Sequence, residues 1–490
     1  MPVRVLLVAV ALVAACSAGQ TAATPNDTSA ISIGFTAEPA NLDFTRTDGA
    51  AIPQALLTNV YEGLVKLDTQ GRIVPLLAKS WTVSADRKTY DFELQPNVTF
   101  TNNQPFTASD VKFSIERVKT AWTISLKSKM DVVDRVEVVD PTHARVVLKR
   151  PSNNWLFDMT TRVGAMFSQS GVADLANTPV GTGPYMFSSR KRGDSIVLRA
   201  NPDYWGRKPA YATVYLKYFK DPTALNNALL SNGIDVISAI TTPDSVGQFE
   251  TDTRFTVLQG TTNSEVTLAF NNARPPLDDK NIRQALMYAI DRKAVMSTVA
   301  ADRGTLIGSM VPPTDPWYED LSTVYSYNPG KAAEILAGRN LRLRLRIPNL
   351  QYAVSAAQVV ASQLNDVGVS VSIEPLDFPA VWLKQVFTDH DYDMSIIQHV
   401  EPRDIVTFGN PKYYWGYNNP KVQELITQGD SGTPDQQITA MKEVARTINA
   451  DAAADWLFLF PNIVAAKKKV TGLTQNQVSE SFDLTGLGRA

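Results

Sequence analysis

Apolar residues recur along this chain with two different periods. In the stretch TYDFEL, Tyr90, Phe92 and Leu94 occupy every second position, and this alternation predicts a half-buried β-strand. The segment 143–150 predicts a second short strand. Residues 278–291 carry apolar side chains at the spacing of one helix face, behind aspartates that suit a helix N-cap, and so predict an amphipathic helix.

The clearest unit of this pattern lies at 341–374. Apolar residues alternate with arginine in LRLRLRI, which predicts a strand, and VSAAQVVASQLNDVG predicts a helix that ends at Gly368. The following letters, VSVSIEP, alternate again. Because a strand–helix–strand crossover joins two parallel strands, this unit predicts a parallel pair in an α/β sheet.

Two further segments complete the pattern. Residues 221–236 predict a helix that is capped by Asp221 and stopped by Gly233, with a strand start after it. The run WLFLFPNIVAAKKK (456–469) predicts strongly apolar strand structure that is broken by Pro461. We find no internal repeat.

Composition narrows the class of protein. A chain of 490 residues of which 44% are hydrophobic is long and apolar enough for two or more domains with a large core. Its formal net charge of -2 argues against nucleic acid as a partner. The chain has one cysteine, Cys16, which excludes an intramolecular disulfide.

The start of the chain predicts an export signal followed by a tether. The apolar run 5–15 follows Arg4 and is too short to span a bilayer, which takes about 20 residues, but it suits the core of a signal peptide. The letters VAAC resemble the lipobox of bacterial lipoproteins, which implies that residues 1–15 are removed and that Cys16 is lipidated. Residues 16–30 then predict a flexible tether. The alternative is an ordinary secretory signal with an incidental cysteine.

Enzyme motifs do not occur in the sequence. It contains no G-x-S-x-G, no H-E-x-x-H and no G-x-x-x-x-G-K-[ST]. Of three histidines, His143 lies in a strand pattern without a candidate partner. We therefore predict that the protein is not an enzyme and has neither a cofactor nor a metal. His390 and His399 lie close to several acidic residues, so a metal-related role remains a less favoured alternative.

Seven segments, taken in order, are similar to one known family. They extend over nearly the whole chain, and any one of them alone would be a weak signal. The segments are EPANLDF (38–44), the stretch 60–118 that begins VYEGLVKLD, VGTGPY (180–185), NPDYWGRKP (201–209), DPTALNNALLSNGIDV (221–236), 268–295 and YNPGKAAEIL (327–336). Together they resemble the extracellular solute-binding proteins of family 5, the dipeptide-, oligopeptide- and nickel-binding lipoproteins of ABC importers.

This resemblance implies an α/β, two-lobed periplasmic-binding-protein-like fold (type II, cluster C) with an extra subdomain in the first lobe. It implies a first lobe of residues 31–265 plus 461–490, an extra subdomain at 51–170, and a second lobe at 266–460. Strands near 264–271 and 456–466 would act as hinges between the lobes.

The implied function is that of a lipid-anchored substrate-binding protein of an ABC importer. It would be a monomer at the outer face of the bacterial cell membrane. There it would capture a peptide or peptide-like solute between two lobes and deliver it to a membrane permease. Three alternatives stay open: a binder of a metal chelate or other non-peptide solute, a scaffold or signalling lipoprotein on the same fold, and an enzyme. The solute, the peptide length and the particular permease are not predicted.

The resemblance also implies site residues in the loop after the apolar strand DMSII. In peptide-binding relatives this loop carries an aspartate for the ligand's ammonium group, and here Glu401 or Asp404 could serve, because a buried charge must be paired. The stretch 383–398 has Lys384 but no arginine for a peptide's terminal carboxylate, which puts a standard short peptide in doubt. The full set of predicted ligand-binding residues is Glu38, Asn41, Phe378, Trp382, His399, Glu401, Asp404 and Trp415.

Overall fold

The structure, a computed structural model, describes residues 29–490. The predicted signal peptide and Cys16, with nearly all of the predicted tether, lie outside the described residues. None of the helices in the described part combines the length and apolar character needed to cross a bilayer.

The described chain alternates strands and helices. The strands are β1 (Ala30–Phe35), β2 (Val65–Leu67), β3 (Ile73–Pro75), β4 (Ala78–Val83), β5 (Thr89–Leu94), β6 (Val133–Asp140), β7 (His143–Leu148), β8 (Tyr185–Lys191), β9 (Ser195–Ala200), β10 (Thr213–Tyr218), β11 (Val236–Ile237), β12 (Phe255–Gly260), β13 (Glu265–Phe270), β14 (Arg342–Pro348), β15 (Ser370–Leu376), β16 (Met394–His399), β17 (Ala454–Leu459), β18 (Asn462–Lys467), β19 (Val470–Thr471) and β20 (Gly488–Arg489). The helices are α1 (Ala51–Leu56), α2 (Ala108–Ala121), α3 (Asn153–Asp158), α4 (Pro222–Leu230), α5 (Gly247–Glu250), α6 (Lys280–Ala289), α7 (Arg292–Ala300), α8 (Pro329–Leu336), α9 (Gln351–Asp366), α10 (Ala380–Trp382), α11 (Pro420–Ser431) and α12 (Pro434–Ala450).

Two large sheets organise the fold. The first has seven strands in the order β12-β18-β11-β1-β10-β9-β8, and β18 lies antiparallel between β11 and β12. The second has five strands in the order β15-β14-β16-β13-β17. We call the part built around the first sheet the first lobe and the part built around the second sheet the second lobe. The fold is therefore α/β with two lobes, as the sequence predicts.

A smaller antiparallel sheet, β4-β5-β7-β6, belongs to the first lobe and is covered by α2. The predicted strand TYDFEL is β5, and Tyr90 and Phe92 are both buried. The Tyr90 ring packs on the fully buried Trp155 of α3, with ring centroids 4.8 Å apart. This packing fixes α3 at the edge of the first lobe, where it contacts α11 of the second lobe.

The strand–helix–strand prediction is confirmed in the second lobe. Strands β14 and β15 pair in parallel, and α9 connects them. The predicted amphipathic helix is α6, and the Asp279 carboxylate accepts a hydrogen bond from the Asn281 backbone N–H at 2.8 Å as its N-cap. Alternate residues of β14 and one face of α9 are buried against each other. The strand period and the helix period of their apolar residues are therefore both visible in the sequence.

One predicted element needs correction, and one predicted break is confirmed. The helix capped by Asp221 ends at Leu230, three residues before Gly233, and Asn232 already has a left-handed backbone with φ of 64°. The break predicted at Pro461 is present, because β17 ends at Leu459 in the second sheet and β18 begins at Asn462 in the first.

The chain passes between the two large sheets at two places. One link joins β12 to β13, and the other joins β17 to β18 through Phe460 and Pro461. The Thr262 hydroxyl of the first link donates to the Phe460 carbonyl of the second at 2.6 Å, which ties the two links together. The lobe boundaries drawn from the sequence stay predictions; the one at 460/461 falls in the second link, and the one at 265/266 falls one residue inside β13.

The lobes also touch at their outer rim. Asp430 of α11, which is 7% exposed, accepts hydrogen bonds from three groups of the first lobe. These are the Arg150 guanidinium at 2.6 Å, the Ser152 hydroxyl at 2.8 Å and the Asn154 backbone N–H at 2.9 Å. We call Asp430 and these three partners the rim clasp. It joins the two lobes through side chains, in addition to the two links of the chain.

Candidate functional site

A cavity of about 250 Å³ lies between the lobes. The first lobe contributes residues 48–50 and 161–162 among others, the link before β13 contributes 262–264, and the second lobe contributes 400–402. We call this space the interlobe cavity. Since both lobes and a link line it, a molecule inside it lies between the parts that would separate on opening.

The first-lobe wall of the interlobe cavity holds two paired bases. Arg162, whose side chain is 7% exposed, forms an ion pair with Glu480 at 2.5 Å. The Lys129 ammonium donates to the Asp158 carboxylate at 2.7 Å. Asp48 on the same wall is 66% exposed and lies 3.6 Å from Arg162. Each base on this wall is therefore paired with one acid, and Asp48 adds one further negative charge.

Glu401 forms the second-lobe edge of the interlobe cavity together with Val400 and Pro402. Within residues 29–490 no hydrogen bond or ion pair engages its carboxylate. The Glu401 side chain is exposed at the edge of the cavity, but the protein packed around it raises the pKa of its carboxyl by desolvation, and Lys129 across the cavity opposes that rise. A carboxylate without a partner in a closing space is a favourable position for a positive group of a ligand.

Three carboxylates lie beneath this loop: Glu265, Asp315 and Asp404, which we call the buried acid cluster. Glu265 is 1% exposed and pairs across the sheet with His399, whose Nδ1 lies 3.2 Å from Asp404. One oxygen in each of the three carboxylates has no hydrogen-bond partner in the described chain. Burial, followed by repulsion from Asp404, holds the pKa of Glu265 well above its usual range.

Arg403 connects the buried acid cluster to the first lobe. Its guanidinium lies 3.7 Å from the centre of the Phe157 ring of α3 and 4.7 Å from the Trp317 ring of its own lobe. Its Nε is 3.8 Å from Asp315. Burial lowers the pKa of Arg403, and Asp315 opposes that shift. The loop that carries Glu401 is thus held by the attraction of Arg403 to Asp315 in its own lobe and by the cation–π contact of Arg403 with Phe157 of the first lobe.

The predicted aromatic residues lie in a layer behind the loop. Trp415 is fully buried and stacks on Phe408, with ring centroids 4.1 Å apart, while Trp382 is 2% exposed and donates to the Ser395 hydroxyl. Phe378 is 44% exposed. Trp382 and Trp415 are part of the core of the second lobe, and the contact of all three rings with a solute stays a prediction.

The two predicted residues of the first lobe already have partners there. Glu38 forms an ion pair with Arg190 at 3.3 Å and accepts a hydrogen bond from the Gly193 backbone N–H. The Asn41 amide donates to the Thr47 hydroxyl at 2.7 Å. Neither lies on the interlobe cavity as the described residues form it, and their role in binding stays a prediction.

The structure brings Glu401, Asp404 and His399 together and leaves the other predicted residues outside the interlobe cavity. Among the eight, Glu401 alone lines it in the part of the chain that the structure describes. Sequence reasoning missed Lys129, Arg162 and Glu480, which come from distant segments without a local signal. Across the described range 29–490, no group of three or more His, Cys, Asp or Glu side chains is arranged to hold a metal ion.

Asp315→Asn is expected to reduce the pH dependence of folding stability. Burial, opposed by Arg403 and reinforced by Asp404, raises the pKa of Asp315 to about 6 from an ordinary 3.8. A raised folded-state pKa gives a contribution to the free energy of unfolding that is fully present below pH 3.8 and lost as pH rises through about 6. The loss amounts to about 2–3 kcal/mol, and the asparagine variant should lack it.

The measurement is urea unfolding of the wild type and the variant at pH 4 and pH 7.5. Asp278→Asn, which changes an exposed side chain of the same lobe, is the control and should keep the wild-type dependence. An unchanged pH dependence in Asp315→Asn would show that Asp315 ionises normally in the folded protein.

Two α/β lobes joined by two chain links, with a cavity lined by both lobes, define a two-lobed solute-binding protein of the type II periplasmic class. Comparison with known proteins identifies the family. The chain belongs to the bacterial extracellular solute-binding proteins, family 5, since the model of the middle region of that family matches residues 72–420.

Several relatives carry names that state what they bind. The Di/tripeptide-binding protein 2 of Pseudomonas aeruginosa (strain UCBPP-PA14) is 26% identical over 355 residues, which cover 65% of this chain and 66% of that protein. The Nickel-binding periplasmic protein of Escherichia coli (strain K12) is 26% identical over 358 residues, covering 66% of this chain and 67% of that protein. The chain thus spans about two thirds of the length of these relatives.

Solved structures agree in fold along nearly the whole chain. NikA from Brucella suis, in complex with Fe(III)-EDTA, has a TM-score of 0.82 at 22% identity and covers 94% of this chain and 100% of that one. DppA from Helicobacter pylori, in complex with peptide STSA, has a TM-score of 0.79 at 20% identity and covers 94% of this chain and 98% of that one. At these identities the likeness concerns the fold.

Proposed function

We propose that the protein is the lipid-anchored substrate-binding component of an ABC importer and that it captures a peptide or peptide-like solute in the interlobe cavity. The positive group of that solute pairs with Glu401. The observation that supports this proposal is the unpaired carboxylate of Glu401 on a cavity lined by both lobes and a link. Membership of a solute-binding family and the name of the Di/tripeptide-binding relative support it further.

The proposed cycle is a closure between two states. In the open form, a solute binds the wall of one lobe, and the links before β13 and before β18 flex. Closure then brings Glu401 against the positive group and removes water from both. The solute favours the closed form only by the difference in its affinity for the two forms. A membrane permease receives the solute from the closed form.

Glu401→Gln is expected to weaken binding of solutes that carry an ammonium group. The amide keeps the shape of the side chain but removes the charge, so we expect a loss of about 1–3 kcal/mol, or roughly 5- to 150-fold in the dissociation constant. Isothermal titration with di- and tripeptides, begun with whatever solute mass spectrometry finds bound to the purified protein, measures it.

The matched control for this experiment is Glu334→Gln, which removes the same charge from an exposed position on α8 of the same lobe. It should bind as the wild type does. If Glu401→Gln bound the same solutes with unchanged affinity, the positive group would have to lie elsewhere and the proposed site would be wrong.

A further inference from the structure

Both bases on the interlobe cavity are already engaged by carboxylates. Two nitrogens of the Arg162 guanidinium contact the Glu480 carboxylate, and the third donates to the Gly49 carbonyl at 2.9 Å. Lys129 is held by Asp158, whose side chain is only 14% exposed. In the described lining, no base is left over to receive a carboxylate from a solute.

The charges around the cavity are unbalanced towards the negative. Four carboxylates, those of Asp48, Asp158, Glu401 and Glu480, face the two bases. A solute carboxylate would have to share a base with a buried acid, and the added negative charge would lack a counter-charge of its own at low dielectric. An ammonium group meets the opposite situation, because Glu401 has no partner to lose.

The cavity also restricts the size of its occupant. Its volume of about 250 Å³ is below the usual range for ligand sites of about 300–1,000 Å³. This is the volume with the rim clasp formed, so it reflects lobes that are in contact. The side chains of Leu126, Val400 and Pro402 give part of the lining an apolar character.

We propose that the solute is a compact organic cation without a free carboxylate, such as an amine or an amide-capped amino acid or dipeptide with an apolar side chain. The inference rests on the proposed function, namely that the interlobe cavity takes a cationic solute at Glu401. It adds that the site discriminates against zwitterions, including ordinary peptides with a free carboxyl end.

Matched pairs of probes test this directly. Isothermal titration compares L-leucinamide with L-leucine, and alanyl-leucinamide with alanyl-leucine, at one pH and salt concentration. Within a pair the ammonium group and the apolar side chain are the same, and only the carboxylate is replaced by an amide. We expect each amide to bind at least tenfold more tightly than its acid. Equal or tighter binding of the acids, or failure of both amides to bind, would overturn the inference.

Asp158→Asn provides a second test, in which binding of the acid should become stronger. It releases Lys129 from its ion pair, so it should strengthen binding of alanyl-leucine several-fold and narrow its gap to the amide. Asp131→Asn removes the same charge from an exposed side chain two residues from Lys129 without freeing a base, and should leave the gap as in the wild type. A gap that stays equally wide in Asp158→Asn would contradict the role of this pairing.

The outcomes separate this inference from the proposed function. If acids and amides bind equally and Glu401→Gln weakens both, the discrimination is absent while Glu401 remains the partner of the positive group. If Glu401→Gln weakens neither member of a pair that does bind, the proposed function itself fails at this site.

Discussion

Asp430→Ala is expected to shift the protein towards an open form in the absence of any solute. The Asp430 carboxylate is buried at the rim and is the shared acceptor of the rim clasp, so its removal leaves the three donors of the first lobe without their partner. Arg150 is 58% exposed and can be solvated, whereas the Ser152 hydroxyl and the Asn154 N–H are half-buried or buried. We expect the closed form to lose about 2–4 kcal/mol relative to the open form.

This loss corresponds to roughly a 30- to 700-fold change in the ratio of closed to open protein. Small-angle X-ray scattering should show a larger radius of gyration for the variant, and solute affinity should fall by no more than the same factor. Glu424→Ala, on an exposed position of the same helix, is the control. An unchanged radius of gyration in Asp430→Ala would mean that other contacts hold the lobes together.

Cys16→Ala is expected to release the protein completely from the membrane. Each buried CH₂ of a lipid chain contributes about 0.8 kcal/mol, and stable anchoring takes more than one chain, so retention should depend on this one thiol if it carries the lipid that we propose. Cell fractionation and immunoblotting of the medium should find the variant outside the membrane fraction. Its solute affinity should equal that of the wild type.

Ser17→Ala, one position further along, is the matched control for this experiment and should stay in the membrane fraction. Persistence of Cys16→Ala in that fraction would favour an ordinary signal peptide that is retained or a different means of attachment.

Local patterns were sufficient for much of the fold. The β14–α9–β15 unit could be predicted because each element buries one face, so its period is visible within a few residues. Caps such as Asp279 are equally local, since the donor and acceptor are two residues apart. The two-lobe arrangement came from the order of family segments and could not have been obtained from periodicity.

The sequence was insufficient for features that depend on contacts between distant residues. The break of the run 456–469 at Pro461 could be predicted, but the strands that pair with β18 could not, because β11 and β12 lie more than 200 residues away. Trp415 is fully buried and outside the interlobe cavity, which the sequence could not indicate, since a core ring and a pocket ring have the same local signal.

In the candidate site, too, local features could be predicted from the sequence and long-range contacts could not. Glu401 could be predicted because the loop after DMSII resembles a loop known to carry an acid. The ion pairs of Lys129 with Asp158 and of Arg162 with Glu480 join positions 29 and 318 residues apart. The buried Glu265 meets His399 only through strand pairing. No spacing rule connects such residues, so the charge balance of the cavity becomes visible only in three dimensions.

The interior position of β18 has a consequence for how the molecule is made. Strands β13 to β17 and their helices are contiguous in the chain, so this half can assemble as soon as it emerges from a ribosome or an export channel. The sheet of the first lobe cannot be completed until nearly the last thirty residues are available, because β18 must fill the gap between β11 and β12. Closing so long a loop late is entropically unfavourable. A product that is cut short before residue 462 should therefore contain one folded half and one that proteases degrade.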